Sequence, residues 1–177
     1  MSQRETYLYI GLGAAVALYL FSRTSAGQSA VAAVADAVGN ALSSPRGIRN
    51  NNPGNIERSN IAWQGSVPAD QVQQLLQVPY DVTFEQFSDP SWGVRAIGHV
   101  LLSKQQRGLT TVDAIIRDYS KTDQAAYVTS VSRALGVNPD QDIDVRAVLP
   151  IFAAAIIQQE NGQQPYQFSD IANWVYS

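Results

Sequence analysis

A continuous apolar segment near the C-terminus limits what this chain can fold into more than any other feature. Residues 148–157, which read VLPIFAAAII, are uncharged and apolar at every position. A helix that is apolar on every face has to be buried, in a protein core or in a membrane. Asp144 suits its N-cap and Gly162 its C-terminal stop, so we predict a long helix over residues 145–160. Pro150 either kinks this helix or marks its ordered start.

Three further helices are predicted upstream, because each apolar-periodic segment begins at a capping side chain. They cover residues 90–106 after Asp89 and before Gly108, a stretch to Tyr119 after Thr110 or Thr111, and a stretch to Leu135 after Asp123 and before Gly136. The segment before them is turn-rich, and residues 82–87 (VTFEQF) have the composition of a strand. We therefore predict a mainly α domain with a small β-hairpin or irregular lobe.

The composition excludes several classes of protein. Hydrophobic residues make up 45% of the 177 residues and charged residues only 15%, so the chain is not of the highly charged kind that stays disordered. The net charge is -3 and only two lysines occur, whereas nucleic-acid binding needs clustered Lys and Arg. We expect no nucleic-acid partner.

The scarcity of Cys and His narrows the possible chemistry. The chain has no Cys and one His, which disfavours a thiol nucleophile, a Cys-ligated or multi-His metal site and a Ser-His-Asp triad. We expect neither a cofactor nor a metal ion. An enzyme of this composition has to work with carboxylates, hydroxyls and amides.

A second uncharged apolar run lies at the N-terminus, over residues 7–21, between Arg4 and Arg23. About 20 apolar residues span a bilayer, a length the run reaches with its flanks. We interpret it first as a retained single-span anchor; a cleaved signal peptide and a buried core helix are the alternatives. The chain then divides into an anchor at residues 1–23, an Ala/Ser/Gly-rich spacer with some helical character at residues 24–45, and a globular domain at residues 46–177.

Glu160 is the candidate catalytic residue, because it lies where the buried helix is expected to emerge. The negative end of the helix dipole, the unsatisfied last carbonyls and partial burial all disfavour an ionised carboxylate there. A Glu that keeps its proton is what general-acid cleavage of a glycosidic bond requires. The competing interpretation is a solvated Glu beside a glycine stop.

The Asn-rich segment at residues 46–56, RGIRNNNPGNI, is the candidate substrate-binding element. Asn side chains satisfy nearby backbone groups in turns, and they also offer the donor and acceptor that suit sugar hydroxyls and acetamido groups. The segment is therefore either a structural turn or a sugar-binding surface that includes Asn52 and Asn55. Trp63 and Tyr166 are candidates to stack on sugar rings, although aromatic residues of a small domain more often belong to its core.

Four stretches carry a resemblance to a known family: RGIRNNNPGNI, WQG, FEQFSDPSWGVRAIGHVLL and ENGQQPY, in chain order. They resemble phage-encoded, lysozyme-like virion proteins, which include the virion-associated lytic transglycosylases of membrane-containing, tectivirus-type phages. The resemblance runs from Arg46 to Tyr166, and the Asn-rich string is its most specific part. The apolar N-terminus is also similar to the membrane-phage case.

The resemblance implies a mainly helical, lysozyme-like (transglycosylase-type) fold that cuts the MurNAc–GlcNAc bond of peptidoglycan. In related families a helix runs into a Glu followed by Ser or Asn and often Gly, and an Asn-Ile type segment lines the groove. Glu160 and the following Asn161 match the first pattern, and Asn55 with Ile56 matches the second. A lytic transglycosylase needs one catalytic carboxylate, because the substrate's own hydroxyl closes an anhydro ring, whereas a hydrolase needs two.

This chain departs from the family pattern in the order of these segments. The Glu-containing segment follows the Asn-Ile segment here, although it precedes it in the related families. Either the same groove is built by a rearranged chain, or Glu160 is not the acid. Glu57 and Glu85 are then the alternatives.

The resemblance also implies a setting. The protein would belong to the virion, in or on its membrane, and act on the cell wall in the host periplasm during genome entry. Its expected partners are the peptidoglycan glycan strand, a lipid bilayer through residues 7–21, and other virion proteins. The alternative from another class is a virion structural protein whose lysozyme-like domain binds glycan or partner proteins without cutting.

Overall fold

The computed structural model describes residues 44–177 and, before them, residues 24–26, 28, 29 and 32. The chain forms two compact units, Met1–Ser44 and Pro45–Ser177. In the first unit, residues 25, 26, 28, 29 and 32 have helical backbone. The predicted anchor at residues 7–21 lies outside the described residues. Among the residues that are described, no helix has both the length and the apolarity to cross a bilayer.

Seven helices make up the unit Pro45–Ser177, and the prediction of a mainly α domain is confirmed for it. They are α1 (Arg46–Arg49), α2 (Val72–Leu76), α3 (Pro90–Gln106), α4 (Val112–Tyr119), α5 (Gln124–Leu135), α6 (Val145–Asn161) and α7 (Phe168–Trp174).

Side-chain caps begin three of the long helices as the sequence indicates. Asp89 accepts a hydrogen bond from the Ser91 amide at 2.9 Å, with Pro90 in the first helical position. Thr111 caps α4 and Asp144 caps α6 in the same way. The predicted cap at Asp123 is wrong, because this residue has left-handed backbone (φ 44°) and its side chain makes no capping bond.

Residues 82–87 do not form the β-hairpin that their composition suggests; the lobe is irregular. Within residues 44–177, this part of the chain pairs only through isolated bridges, Glu57 with Phe84 and Ser66 with Phe87. Side chains form hydrogen bonds with backbone groups that would otherwise pair between neighbouring strands. Asp81 accepts from the Thr83 and Phe84 amides, each at 3.0 Å.

Helix α6 is the central element of the domain. It packs against α1, α3, α5 and α7, and its side chains at Phe152, Ile156 and Ile157 are fully buried. The apolar segment predicted to be buried is therefore a core helix, with Ile151 as an exposed exception. Burial of such side chains stabilises the fold by about 1.5–3 kcal/mol each. Helix α6 ends at Asn161, with Gly162 as its C-cap. Its last turn, which carries Glu160, therefore lies where the helix leaves the core.

Candidate active site

Glu160 and the Asn-rich segment meet in the folded domain, although 105 residues separate Asn55 from Glu160. Glu160 lies in the last turn of α6 and is half-buried. The Asn55 side chain donates a hydrogen bond from Nδ2 to Glu160 Oε2 at 2.9 Å. The two segments that match the family pattern in reverse order are therefore neighbours in space.

The Asn-rich segment is a turn held by its own side chains. Asn51 and Asn55 have left-handed backbone, at φ 50° and 47°. Asn52 is fully buried; its Nδ2 donates to the carbonyls of Ile56 and Glu85, and its Oδ1 accepts from the Ile56 amide. All the polar atoms of the Asn52 side chain are thus used to build the turn, and none faces a ligand.

Two glycines let the turn lie directly against the helices. A β-carbon on Gly54 would come within 2.6 Å of both Ile97 and the Tyr119 hydroxyl, and one on Gly93 would lie 2.1 Å from the Asn51 carbonyl oxygen. The Tyr119 hydroxyl donates to the Gly54 carbonyl at 2.6 Å. This close approach brings Asn55 to the end of α6.

Asn161 joins the end of α6 to the same turn. Its Nδ2 donates to the Pro53 carbonyl at 2.7 Å and to the Ile157 carbonyl at 2.9 Å. Asn161 is buried, so these two bonds fix the direction of its side chain. The residue that follows Glu160 therefore holds the helix end against the turn, while Glu160 itself faces solvent-accessible space.

A groove of about 610 Å³ opens beside Glu160. Its charged and amide-bearing lining residues are Asn55, Glu57, Lys104, Asp118, Lys121 and Glu160. A smaller recess of about 130 Å³ also adjoins Glu160, and its lining includes Tyr127 and Gln159. A groove of this size can hold a small part of an extended, polar ligand.

Cations lie beside the other carboxylates of the groove. The Lys104 ammonium lies 2.6 Å from Asp118, and Arg107 also donates to Asp118 at 2.6 Å; these hydrogen bonds lower the pKa of Asp118. Lys121 lies 3.5 Å from the exposed Glu57. No Lys or Arg of residues 44–177 forms an ion pair with Glu160, so this carboxyl group is the one left without a cation in the groove.

Two tyrosines lie close enough to Glu160 to respond to its charge. Burial raises the pKa of Tyr119 far above its ordinary value, and the negative charge of Glu160 raises it further. Burial also raises the pKa of Tyr127, with added contributions from Tyr119 and Glu160. The Tyr127 hydroxyl approaches the Glu160 carboxylate but completes no hydrogen bond of normal geometry with the described residues.

The alternative acids lie in different surroundings. Glu85 is buried away from the groove lining; its Oε2 accepts from Ser66 Oγ at 3.1 Å and faces Arg58 at 3.4 Å. Glu57 lines the groove but is exposed and faces Lys121.

The aromatic candidates lie outside the lining of this groove. Trp63 is half-buried against the hydrophobic core, and its Nε1 is buried without a partner among the described residues. Tyr166 packs edge-on against Trp174, with 5.7 Å between ring centroids, and burial raises its pKa to about 12.

Sequence reasoning missed the part of the groove lining that does not come from the Asn-rich turn or the end of α6. Most of this part comes from the end of α3, the end of α4 and the loop before α5, and it includes Lys104, Asp118 and Tyr119. The available signal was the polar run DYSKTD between two predicted helices. Among the described residues, no group of three or more His, Cys, Asp or Glu side chains is placed to hold a metal ion.

A comparison with known proteins gives a phage relative. No protein-family model matches the chain. Protein P5 of Pseudoalteromonas phage PM2 is 30% identical over 133 residues, which cover 71% of this chain and 77% of the phage protein. The resemblance implied a phage protein, and the relative is one; its name states no activity. The chain belongs to the same protein family as Protein P5 of phage PM2.

Proposed function

We propose that the unit Pro45–Ser177 is a lytic transglycosylase that cleaves the glycan strand of peptidoglycan with Glu160 as its acid and base. One observation carries the proposal: among the described residues Glu160 is the groove carboxyl group without a cationic partner, and the Asn55 amide donates to it at 2.9 Å. A carboxyl group held by a neutral amide can carry or lose a proton, whereas one in an ion pair is kept ionised.

The reaction needs one carboxyl group used twice. Glu160 first donates its proton to the glycosidic oxygen as the bond to the sugar breaks. Glu160 then accepts the proton of a hydroxyl on the same sugar, whose oxygen bonds to the anomeric carbon and closes an anhydro ring. The proton balance of the enzyme is restored, and no water is consumed. Glu57 and Asp118 face cations in the groove, which suits a role in binding more than in proton transfer.

The phage relative and the apolar N-terminus support a setting for this reaction. We propose a virion protein, anchored in a membrane through residues 7–21, that opens the host cell wall locally during genome entry. Other virion proteins would then be its neighbours. The predicted lysozyme-like architecture is part of the same proposal.

Clearing of purified peptidoglycan by the full chain tests the assignment of Glu160. Glu160→Gln keeps the size of the side chain and removes the transferable proton, so we expect loss of clearing by at least about a hundredfold. Glu57→Gln changes the alternative acid in the same groove and should lower clearing far less than Glu160→Gln, because it removes no transferred proton.

Two results would contradict this function. Full clearing by a folded Glu160→Gln variant would exclude Glu160 as the acid. Binding of the wild-type chain to peptidoglycan with no released fragments would favour the non-catalytic structural protein.

A further inference from the structure

Two buried side-chain amide oxygens beside Glu160 have no hydrogen donor among the described residues: Asn55 Oδ1 and Asn161 Oδ1. The Asn161 oxygen cannot turn away, because its Nδ2 is bound to the Pro53 and Ile157 carbonyls. The Asn55 oxygen faces inward because its Nδ2 donates to Glu160. Buried acceptors in native proteins are nearly always paired, so two such oxygens call for a physical explanation.

Both oxygens converge on the same small region, next to Gly47 in α1. A β-carbon built on Gly47 would lie 2.6 Å from Asn161 Oδ1, 2.9 Å from Asn55 Oδ1 and 2.9 Å from the Asn52 carbonyl oxygen. Three acceptors thus surround one point, and the glycine leaves them room. The Asn52 carbonyl already accepts from the Asn55 backbone amide at 2.9 Å, so a donor brought to this region in place of Asn55 Oδ1 would find Asn161 Oδ1 as its unpaired acceptor.

Asn55 itself carries that donor. A turn of about 180° around the last side-chain bond of Asn exchanges its oxygen and nitrogen with little change of shape, and this torsion is broadly two-fold. The exchange brings Nδ2 into the region next to Gly47, where Asn161 Oδ1 is the unpaired acceptor. It also directs Oδ1 toward Glu160, where an oxygen is favourable only if Glu160 carries a proton to donate.

We propose that the Asn55 side-chain amide inverts when Glu160 takes up a proton, so that Asn55 donates to the ionised carboxylate and accepts from the protonated carboxyl group. Asn161 and Gly47 provide the second position of the amide. Asn55 is thereby a positioning residue that holds Glu160 in one place in both protonation states.

Other charged or titratable groups surround Glu160 in the groove and the recess. Within the described residues they are the ion-paired Lys104 with Asp118 and Lys121 with Glu57 in the groove, Asp123 in the recess, and the buried Tyr119 and Tyr127. Burial raises the pKa of both tyrosines, so they stay neutral over the range in which a carboxyl group titrates.

The consequence for catalysis rests on the proposed function. A residue that acts as both the acid and the base needs the same side-chain position before and after it gives up its proton. An amide that inverts meets this need without moving the backbone, whereas a Lys or Arg partner would hold only the ionised form.

Nuclear magnetic resonance on the full chain tests the inversion directly and without substrate. We expect nuclear Overhauser contacts from the Asn55 amide protons to the Gly47 α-protons to appear as pH falls, with the same midpoint as the Glu160 carboxyl carbon shift. Asn52 is the internal control: its amide is bound on both sides by backbone groups, and its contacts should not change. Because no glycan is present, the result does not depend on whether the protein cleaves it.

Glu160→Gln is the control that separates the titration of Glu160 from acid unfolding. Its side chain does not titrate, so the contacts from Asn55 to Gly47 should not change with pH. Asn55 contacts that are unchanged across the Glu160 titration in the wild type, or that change with pH in the same way in Glu160→Gln, would overturn the proposal.

Discussion

Glu160 owes its place to amides and backbone contacts, and no Lys or Arg of the described residues forms an ion pair with it. Asn55 donates to its carboxylate, and Asn161 fixes the helix end that carries it. Neutral hydrogen bonds fix a direction without forcing one protonation state, which suits a group that exchanges a proton. The Asn residues that the sequence offers as sugar ligands thus act within the protein: Asn52 builds the turn, and Asn55 contacts the candidate acid.

Tyr127→Phe and Tyr119→Phe separate a functional hydroxyl from a structural one. The Tyr127 hydroxyl has no partner of normal geometry, so its removal should change the free energy of unfolding by less than about 1 kcal/mol while peptidoglycan clearing falls about tenfold. Tyr119 donates to the Gly54 carbonyl, so its variant should lose about 1 kcal/mol of stability. Chemical denaturation and clearing assays measure both. Unchanged clearing by Tyr127→Phe would remove this hydroxyl from the site.

At the scale of elements, local signals predicted the helices and long-range contacts decided the rest. The bounds of α3 and the stop of α6 at Gly162 follow from caps and periodicity, which act within a few residues. Residues 82–87 look like a strand, yet the neighbouring Asp81 and the distant Asn51 and Asn52 bind their backbone groups. The groove wall at Lys104 and Asp118 could not be predicted either, because its residues come together only when α3 packs on α4.

The irregular lobe is organised around the buried carboxylate of Asp81. Burial alone would raise its pKa, but hydrogen bonds from Arg46, the Phe84 amide, Asn50 and the Thr83 amide outweigh burial and place the pKa far below the ordinary value of 3.8. The folded protein therefore binds this proton only at lower pH than the unfolded chain. The stabilisation is complete above the ordinary value and declines as the pH falls below it.

Asp81→Asn should lower the free energy of unfolding by about 2 kcal/mol at neutral pH, since the charge-assisted bonds to Arg46 are weakened. Between about pH 4 and pH 2 its stability should fall less steeply with acid than that of the wild type. Urea denaturation at a series of pH values measures this, with the exposed Asp70→Asn as control. Parallel curves for wild type and Asp81→Asn would contradict the role of Asp81.

At the scale of the whole molecule, the sequence indicates different roles for the N-terminal segment, as an anchor, and for the helical unit, as the catalytic part. The unit Pro45–Ser177 has its own core around α6, and about 130 residues are enough to fold alone. From the sequence alone it could not be predicted whether the Asn-Ile segment and the Glu160 segment lie in the same groove, because their order is reversed. The hydrogen bond between Asn55 and Glu160 shows that the two segments are neighbours.

A fragment of residues 45–177 should unfold cooperatively and keep the clearing activity on purified peptidoglycan. The full chain should float with lipid vesicles, while the fragment should stay in the soluble fraction, because residues 7–21 are proposed as the anchor. Flotation on a density gradient measures this difference. Equal flotation of both chains, or of neither, would contradict the proposed anchor.

The mass of the released glycan ends tests the central claim most directly, because anhydro ends lack one water relative to reducing ends. With purified peptidoglycan, we expect the wild-type chain to release fragments with anhydro ends and the Glu160→Gln variant to release none above background. Fragments with reducing ends, or anhydro ends from a folded Glu160→Gln variant, would contradict a one-carboxylate transglycosylase centred on Glu160.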